Sequence, residues 1–208
     1  MNACGLDPRR LLGVPALFRA LQRLVGAGKA APRLVELLAI RPGERVLDIG
    51  CGTADILHHL PPDIEYHGFD VSEHYVTAAR ARFAHRGRFT VQAITPDAAD
   101  RLGQFDVVMA IAVLHHLTDA EASALFSVAH KVLRPGGRVI TCDGAFVPGQ
   151  HPIAKVLLKL DRGRRVRTPE QYIAIARRNF PDATARVIND LLTIPYTHCI
   201  VEGHRSSR

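Results

Sequence analysis

The chain has 208 residues, 47% of them hydrophobic, so it is long enough to bury the core of one domain. Its 27 lysines and arginines exceed its 20 acids, and the resulting formal charge of +7 leaves room for an acidic partner without requiring nucleic acid. Aromatic residues make up only 6% and tryptophan is absent, which argues against a base-stacking surface, so we expect no nucleic-acid partner.

The cysteines are scattered and form no CxxC pair, which predicts neither a disulfide framework nor a zinc site. The first ten residues, MNACGLDPRR, lack the apolar stretch of a signal peptide. The longest apolar run, 107–114, is far shorter than the roughly 20 residues that cross a membrane. We therefore expect a reduced, cytoplasmic setting.

The sequence of the first forty residues predicts helices. Asp7 and Pro8 are typical of a helix start, and Pro15 should kink or split the helix that follows. A second helix is predicted near 32–40 and a turn at 41–44. We expect residues 1–40 to form a helical lid on a single domain that spans 1–208.

After this region, apolar strands alternate with helices. Runs such as VVMAIAVL are typical of strands covered on both faces, and the alternation predicts a doubly wound α/β fold with a parallel sheet. The predicted strands are 45–49, 64–70, 88–94, 105–111 and 137–143, and the predicted helices are 53–60, 73–85, 119–132 and 168–179.

The C-terminal third departs from this alternation. Residues 185–203 predict two strands joined by a short turn near 193–195, an antiparallel hairpin at the sheet edge. Residues 144–168 predict an irregular insert with an amphipathic helix near 152–161. We expect this insert on the substrate side.

The stretch VLDIGCGTAD (46–55) joins the first strand to a glycine-rich turn. Gly50 and Gly52 let a ligand approach the backbone closely. The third glycine of a dinucleotide fingerprint would fall at Asp55, and Asp48 would repel a pyrophosphate. The turn therefore favours a ligand with positive charge and no phosphate, such as S-adenosylmethionine, whose ammonium Asp48 would attract. The backbone from Gly50 to Thr53 would then pack against the methionine part.

Asp70 ends the second strand, twenty residues after Gly50, where an acid can accept hydrogen bonds from both ribose hydroxyls. NAD and S-adenosylmethionine share this feature, so the pair of Asp48 and Asp70 discriminates between them. The alternative role of Asp70 is to cap the helix that begins at Ser72. Tyr75 would pack on the ligand or in the core.

Four segments in this order resemble class I S-adenosylmethionine-dependent methyltransferases, most closely the type 11/25-like group. They lie within residues 32–146 and read VLDIGCGTAD, YHGFDVSEHYVTAAR, FDVVMAIAVLHHLTD and LRPGGRVITCD. The resemblance implies a Rossmann-like seven-stranded sheet, mostly parallel, with an antiparallel C-terminal hairpin strand. It also implies S-adenosylmethionine as methyl donor and cofactor contacts from Asp48, Gly50, Cys51, Gly52, Asp70 (ribose), Val71 (adenine) and Ala110.

The sequence departs from the pattern of this family at two places. Ala54 stands where the family has the last glycine of its first motif. After the third strand, FTVQAI lacks the acid that often lies near the adenine amino group. Adenine recognition would then rest on the backbone near Ala93 and Ile94, or on Gln92.

Candidate catalytic groups are expected at the carboxyl ends of the strands, where open α/β sheets bind ligands. His115 and His116 follow the fourth strand, and Asp143 ends the fifth. An imidazole near its ordinary pKa could accept a proton from a hydroxyl group. The alternatives are core or capping histidines and a structural acid. Their spacing matches no metal-ligand motif, and we expect no metal.

Two segments are basic and apolar, namely residues 8–35 and KVLLKLDRGRRVR (155–167). Such segments serve either as a lid with solvated faces or as a docking surface for an acidic or amphiphilic partner. A lipid-linked substrate, a membrane surface and an acidic carrier protein would each fit the second role.

The sequence thus predicts a methyltransferase that transfers a methyl group to a small-molecule acceptor and releases S-adenosylhomocysteine. Oxygen is the favoured acceptor atom, with carbon and nitrogen as alternatives. The alternatives are an acceptor that is lipid-linked or carrier-bound, a non-catalytic S-adenosylmethionine-binding partner, and a nucleotide-cofactor oxidoreductase. AIAVLHH stands where a base methyltransferase would carry an Asn/Asp-Pro-Pro-aromatic motif, so nucleic-acid methylation is not expected.

Overall fold

The computed structural model of the protein describes residues 27–160 and 165–207. The predicted helix after Asp7, with its break at Pro15, lies outside these residues. The helical lid and the single-domain boundary therefore stay predictions.

Seven strands form one sheet in the order β3-β2-β1-β4-β5-β7-β6. The pairs among β1 to β5 are all parallel, whereas β7 is antiparallel to both β5 and β6. The predicted Rossmann-like sheet with an antiparallel C-terminal strand is thus confirmed. The strands are β1 (Arg45–Ile49), β2 (Glu65–Asp70), β3 (Gly87–Val91), β4 (Phe105–Ile111), β5 (Leu133–Gly144), β6 (Thr184–Ile188) and β7 (His198–His204).

Six α-helices are described around this sheet: α1 (Ala27–Leu38), α2 (Glu73–Phe83), α3 (Pro96–Ala99), α4 (Asp119–Val132), α5 (Pro152–Leu160) and α6 (Pro169–Ala176). Two 3-10 turns span Asp55–His58 and Leu114–His116. Helix α4 has the predicted bounds because Thr118 and Glu121 form a capping box at its start. Thr168 and Gln171 form the same box before α6.

Some predicted boundaries are wrong. The helix expected over 53–60 is only a short 3-10 turn, because Ala54 adopts a left-handed conformation that a helix cannot include. Strand β3 ends at Val91, after which Gln92 donates its N–H to the carbonyl of Asp70 at 3.0 Å. Strands β6 and β7 are joined by residues 189–197 rather than by a short turn, since Leu191 anchors that loop in the core.

Both faces of the sheet are covered by apolar layers, as the near-continuous apolar strands predicted. Phe126 of α4, Phe180 and Val108 of β4 belong to the layer on one face. Leu38 of α1 and Val76 of α2 belong to the layer on the other face. Within the described residues, no helix has the length and apolar character needed to cross a bilayer.

Candidate active site

The turn after β1 has the backbone conformation that its glycines predict. Gly50 and Gly52 have φ of +77° and +54°, and Gly50 donates its N–H to the carbonyl of Phe69 at 2.7 Å. A Cβ on Gly50 would lie 2.5 Å from Val113, whereas one on Gly52 would meet nothing within 4 Å. Gly52 therefore faces open space next to the backbone. Ala54 itself has a left-handed φ of +54°, a conformation that glycine adopts more readily than alanine.

Asp48 lies beneath this turn, almost fully buried, and accepts a hydrogen bond from the Tyr66 hydroxyl. Burial raises the pKa of Asp48 to about 7, and the charge of Asp70 adds to the rise, while the bond from Tyr66 opposes it. A cationic group placed beside Asp48 would favour its ionised form. Nothing in the sequence pattern marked Tyr66 as the partner of this acid.

Asp70 joins the two turns that end β1 and β2. Its two carboxylate oxygens accept from the backbone N–H groups of Gly52 at 2.9 Å and Ser72 at 2.8 Å. The N-cap of α2 is Ser72, whose hydroxyl accepts from the N–H of Tyr75 at 3.4 Å. Each oxygen of Asp70 keeps a second lone pair, so the carboxylate can still accept from two further hydroxyls.

Apolar side chains are exposed beside Asp70. Val71 is 74% exposed and Val91, at the end of β3, is 40% exposed. Ala93 is exposed, and Ile94 is half-buried against the core. Exposed valines at two adjacent strand ends form an apolar surface on which a flat ring can pack.

The remaining predicted cofactor residues differ in how far their side chains are exposed. The Thr53 hydroxyl binds Asp55, so this buried side chain holds the turn together. Cys51 is buried with a raised pKa, and burial is the main cause, so its thiol is neutral. Tyr75 is half-buried on α2. Ala110 is fully buried within β4, so its side chain faces the core, and the exposed residue at this strand end is Ala112.

His115 and Asp143 form a buried pair at the ends of β4 and β5. His115 Nδ1 lies 2.7 Å from Asp143 Oδ1, which also accepts the backbone N–H of His115 at 3.1 Å. This contact fixes the tautomer with the proton on Nδ1, which leaves Nε2 as the basic nitrogen. Asp143 Oδ2 is buried and has no hydrogen-bond partner among the described residues. The exposed His116 ring lies 4.1 Å from that of His115.

Sequence reasoning missed two residues near this pair. His198, the first residue of β7, pairs with Gly144, and burial lowers its pKa to about 4, so its imidazole is neutral. Arg167 is buried against the loop that carries His115. A lone histidine in a strand and one arginine within a basic run carry no spacing signal that could have singled them out.

The described part of the insert lies over the end of β5. Ala145 and Arg167 form a parallel β-bridge, and a Cβ on Gly144 would lie 2.5 Å from Leu158 of α5. Helix α5 buries Ala154 and Leu158 and exposes a second apolar stripe on its other side, formed by Ile153, Val156 and Leu160.

The described residues contain no group of three or more histidines, cysteines or acids placed to hold a metal ion. The described cysteines, Cys51, Cys142 and Cys199, are buried free thiols.

Comparison with known proteins matches residues 47–139 to a family model described as a methyltransferase domain. The 27-O-demethylrifamycin SV methyltransferase of Amycolatopsis mediterranei (strain S699) is 35% identical over 124 residues, which cover 56% of this chain and 44% of that protein. The nocamycin O-methyltransferase of Saccharothrix syringae is 36% identical over 116 residues, 52% of this chain and 41% of that protein. The chain thus spans less than half the length of these relatives.

Solved structures share the architecture. The S-adenosylmethionine-dependent methyltransferase SibL in its apo form superposes with a TM-score of 0.71 at 18% identity, over 91% of this chain and 57% of that one. At this identity the likeness concerns the fold alone. Residues 47–139 match the methyltransferase-domain family, and the strand order and the glycine turn agree with the fold of class I S-adenosylmethionine-dependent methyltransferases.

Proposed function

We propose that the protein transfers a methyl group from S-adenosylmethionine to a hydroxyl group of a small molecule. The buried Asp48 beneath the glycine turn carries the cofactor part of this proposal, because it favours a cation where a phosphate would be repelled. The names of the two relatives, one of them an O-methyltransferase, support a small-molecule acceptor and methylation at oxygen.

The cofactor would lie along the carboxyl ends of β1, β2 and β3. Its ammonium would lie near Asp48, and its methionine part would pack against the backbone of 50–53, where Gly52 faces open space. Asp70 would accept from the ribose hydroxyls through its remaining lone pairs. The adenine would pack on the exposed side chain of Val71 and near the backbone of Ala93 and Ile94.

The His115–Asp143 pair supplies the base that an alcohol acceptor needs. Bound S-adenosylmethionine supplies a methyl group activated on sulfur and leaves as S-adenosylhomocysteine. His115 would take the acceptor's proton while the oxygen–carbon bond forms and the sulfur–carbon bond breaks. Asp143 holds the imidazole in one tautomer and stabilises the imidazolium that results.

The test is methyl transfer from labelled S-adenosylmethionine into a panel of phenols, alcohols and cell-extract metabolites. We expect label in a hydroxyl-bearing product, and a loss of about 100-fold or more in His115→Gln, the usual contribution of a general base. His59→Gln, at an exposed histidine, is the matched control. Cofactor binding without transfer to any acceptor would instead favour a non-catalytic binding partner. Full activity of His115→Gln would contradict the role of His115 as base.

A second candidate acceptor is an amphiphile presented on an anionic lipid surface. The stripe of Ile153, Val156 and Leu160 is at least half exposed at every position. Lys155 and Lys159 are exposed on the same helix, which contains no acid over 152–160. An apolar stripe beside cations fits the boundary between lipid tails and anionic headgroups. Helix α5 lies over the end of β5, so docking there would bring the acceptor to the site.

Vesicle co-sedimentation of the full chain tests this second candidate. We expect binding to phosphatidylcholine vesicles that contain phosphatidylglycerol and weaker binding to phosphatidylcholine alone. The double variant Val156→Ser, Leu160→Ser should lose the binding, while Val187→Ser, at an exposed valine of β6, should keep it. Equal binding of both variants, or association with an acidic carrier protein or a second copy instead of vesicles, would contradict it.

A further inference from the structure

Arg167 makes an unusually complete set of contacts for a buried cation. Its side chain is 6% exposed, and Nε donates to Asp119 Oδ1 at 3.0 Å. Nη1 donates to the carbonyls of Leu114 at 2.8 Å and Arg165 at 3.2 Å. Nη2 donates to the carbonyl of Leu117 at 2.7 Å and to Asp119 Oδ1 at 2.7 Å. All five N–H donors of the guanidinium are therefore used.

These acceptors flank the candidate base on both sides. Leu114 and Leu117 are the residues before and after the His115–His116 pair, and Asp119 begins α4. The carbonyl of His115 itself accepts from the N–H of Arg165 at 3.1 Å. One buried side chain thus holds the short turn that carries both histidines.

The backbone of Arg167 is anchored to the strand that carries Asp143. Its carbonyl accepts from the N–H of Phe146 at 3.1 Å, next to the bridge between Ala145 and Arg167. The Tyr172 hydroxyl donates to the carbonyl of Gly144 at 3.0 Å, and the N–H of Arg167 points at the same hydroxyl at 3.4 Å. The guanidinium also lies 5.6 Å from the centre of the Tyr172 ring.

We infer that Arg167 is a positioning residue, which sets the distance and orientation between His115 and Asp143. The residues that it joins, 114–119 and 144–146, carry or directly follow the two members of the pair. The inference rests on the proposed function, in which His115 acts as the base. A lysine offers at most three donors without the planar fork, so it cannot hold the same five contacts.

The test observes the imidazole of His115 directly, in the full chain without acceptor. Nitrogen NMR shifts report the tautomer, and the exchange rate of the Nδ1 proton reports the hydrogen bond to Asp143. In Arg167→Lys we expect the Nδ1 proton to exchange about tenfold faster or more, with a shift towards mixed tautomers. Arg165→Lys, in an exposed arginine two residues earlier, should match the wild type.

Asp119→Asn gives a second variant that deletes no buried side chain. Asp119 accepts two of the five hydrogen bonds, yet its own side chain is 72% exposed. In Asp119→Asn the Nδ1 proton of His115 should exchange faster than in the wild type, but by less than in Arg167→Lys. If Arg167→Lys does not fold, Asp119→Asn alone tests whether Arg167 positions His115. Unchanged His115 signals in the folded variants would overturn the inference and reduce Arg167 to a purely structural role. A wild type that transfers no methyl group would contradict the proposed function while leaving these NMR results intact.

Discussion

At the scale of one residue, the buried Asp48 should make the folded protein less stable once its carboxyl group ionises. A carboxylate that is 3% exposed is costly to ionise, even though the Tyr66 hydroxyl donates a hydrogen bond to it. Its pKa is raised from 3.8 to about 7, chiefly by burial. The folded state therefore holds a proton that the unfolded chain releases at lower pH, and folding becomes less favourable as pH rises from about 4 to 7.

Replacing Asp48 by Asn should remove this pH dependence. We expect Asp48→Asn to gain stability relative to the wild type between pH 5 and pH 8 by about 2 kcal/mol, since one pKa unit corresponds to about 1.4 kcal/mol. Urea unfolding of both proteins at the two pH values measures the change. Asp63→Asn, at an exposed aspartate, is the control. A difference between Asp48→Asn and wild type that does not change with pH would contradict the raised pKa.

Single residues also show what the sequence could and could not predict about the site. Asp70 and the two glycines could be predicted because their spacing from strand ends is read directly along the chain. The Tyr66–Asp48 bond and the contacts of Arg167 join residues 18 and about 50 positions apart, so only the folded chain reveals them. Ala110 stays a predicted ligand contact; its side chain is buried in the hydrophobic core, so only its backbone could take that role.

At the scale of secondary-structure elements, backbone conformation explains the errors in the predicted boundaries. The spacing of hydrophobic residues along the sequence predicted β1, β4 and α4 with their observed bounds. The helix expected over 53–60 failed because a left-handed residue stands at its start, and alanine gives no signal of that conformation. Helix α1 likewise ends at Leu38, before the predicted residue 40, because Ala39 has a φ of +48°.

The end of α1 provides a stability test. Ala39 is exposed and donates its N–H to the carbonyl of Val35 at 3.0 Å, in the position where glycine usually ends helices. Ala39→Gly should stabilise the protein by about 0.5–1 kcal/mol, because glycine adopts positive φ without strain. Ala124→Gly, at an exposed position inside α4, should destabilise by a similar amount. Thermal unfolding that shows the same loss in both variants would contradict the left-handed strain at Ala39.

At the scale of the whole molecule, the sheet brings candidate site residues from distant segments of the chain together at one edge. The carboxyl ends of β1, β2 and β3 carry the proposed cofactor site, and those of β4 and β5 carry the histidine–aspartate pair. This arrangement could be predicted from the alternation of strands and helices. The acceptor could not be predicted, because residues 144–168 and the segment before α1 carry no spacing pattern tied to a substrate class.

Titration calorimetry of the full chain with S-adenosylmethionine, S-adenosylhomocysteine and NAD tests whether the proposed site binds the methyl donor rather than a dinucleotide. We expect one-to-one binding of the first two ligands and no binding of NAD. In Asp70→Ala the binding should weaken by about tenfold or more, because hydrogen bonds to the charged carboxylate are lost. Tight binding of NAD without binding of S-adenosylmethionine would contradict this expectation.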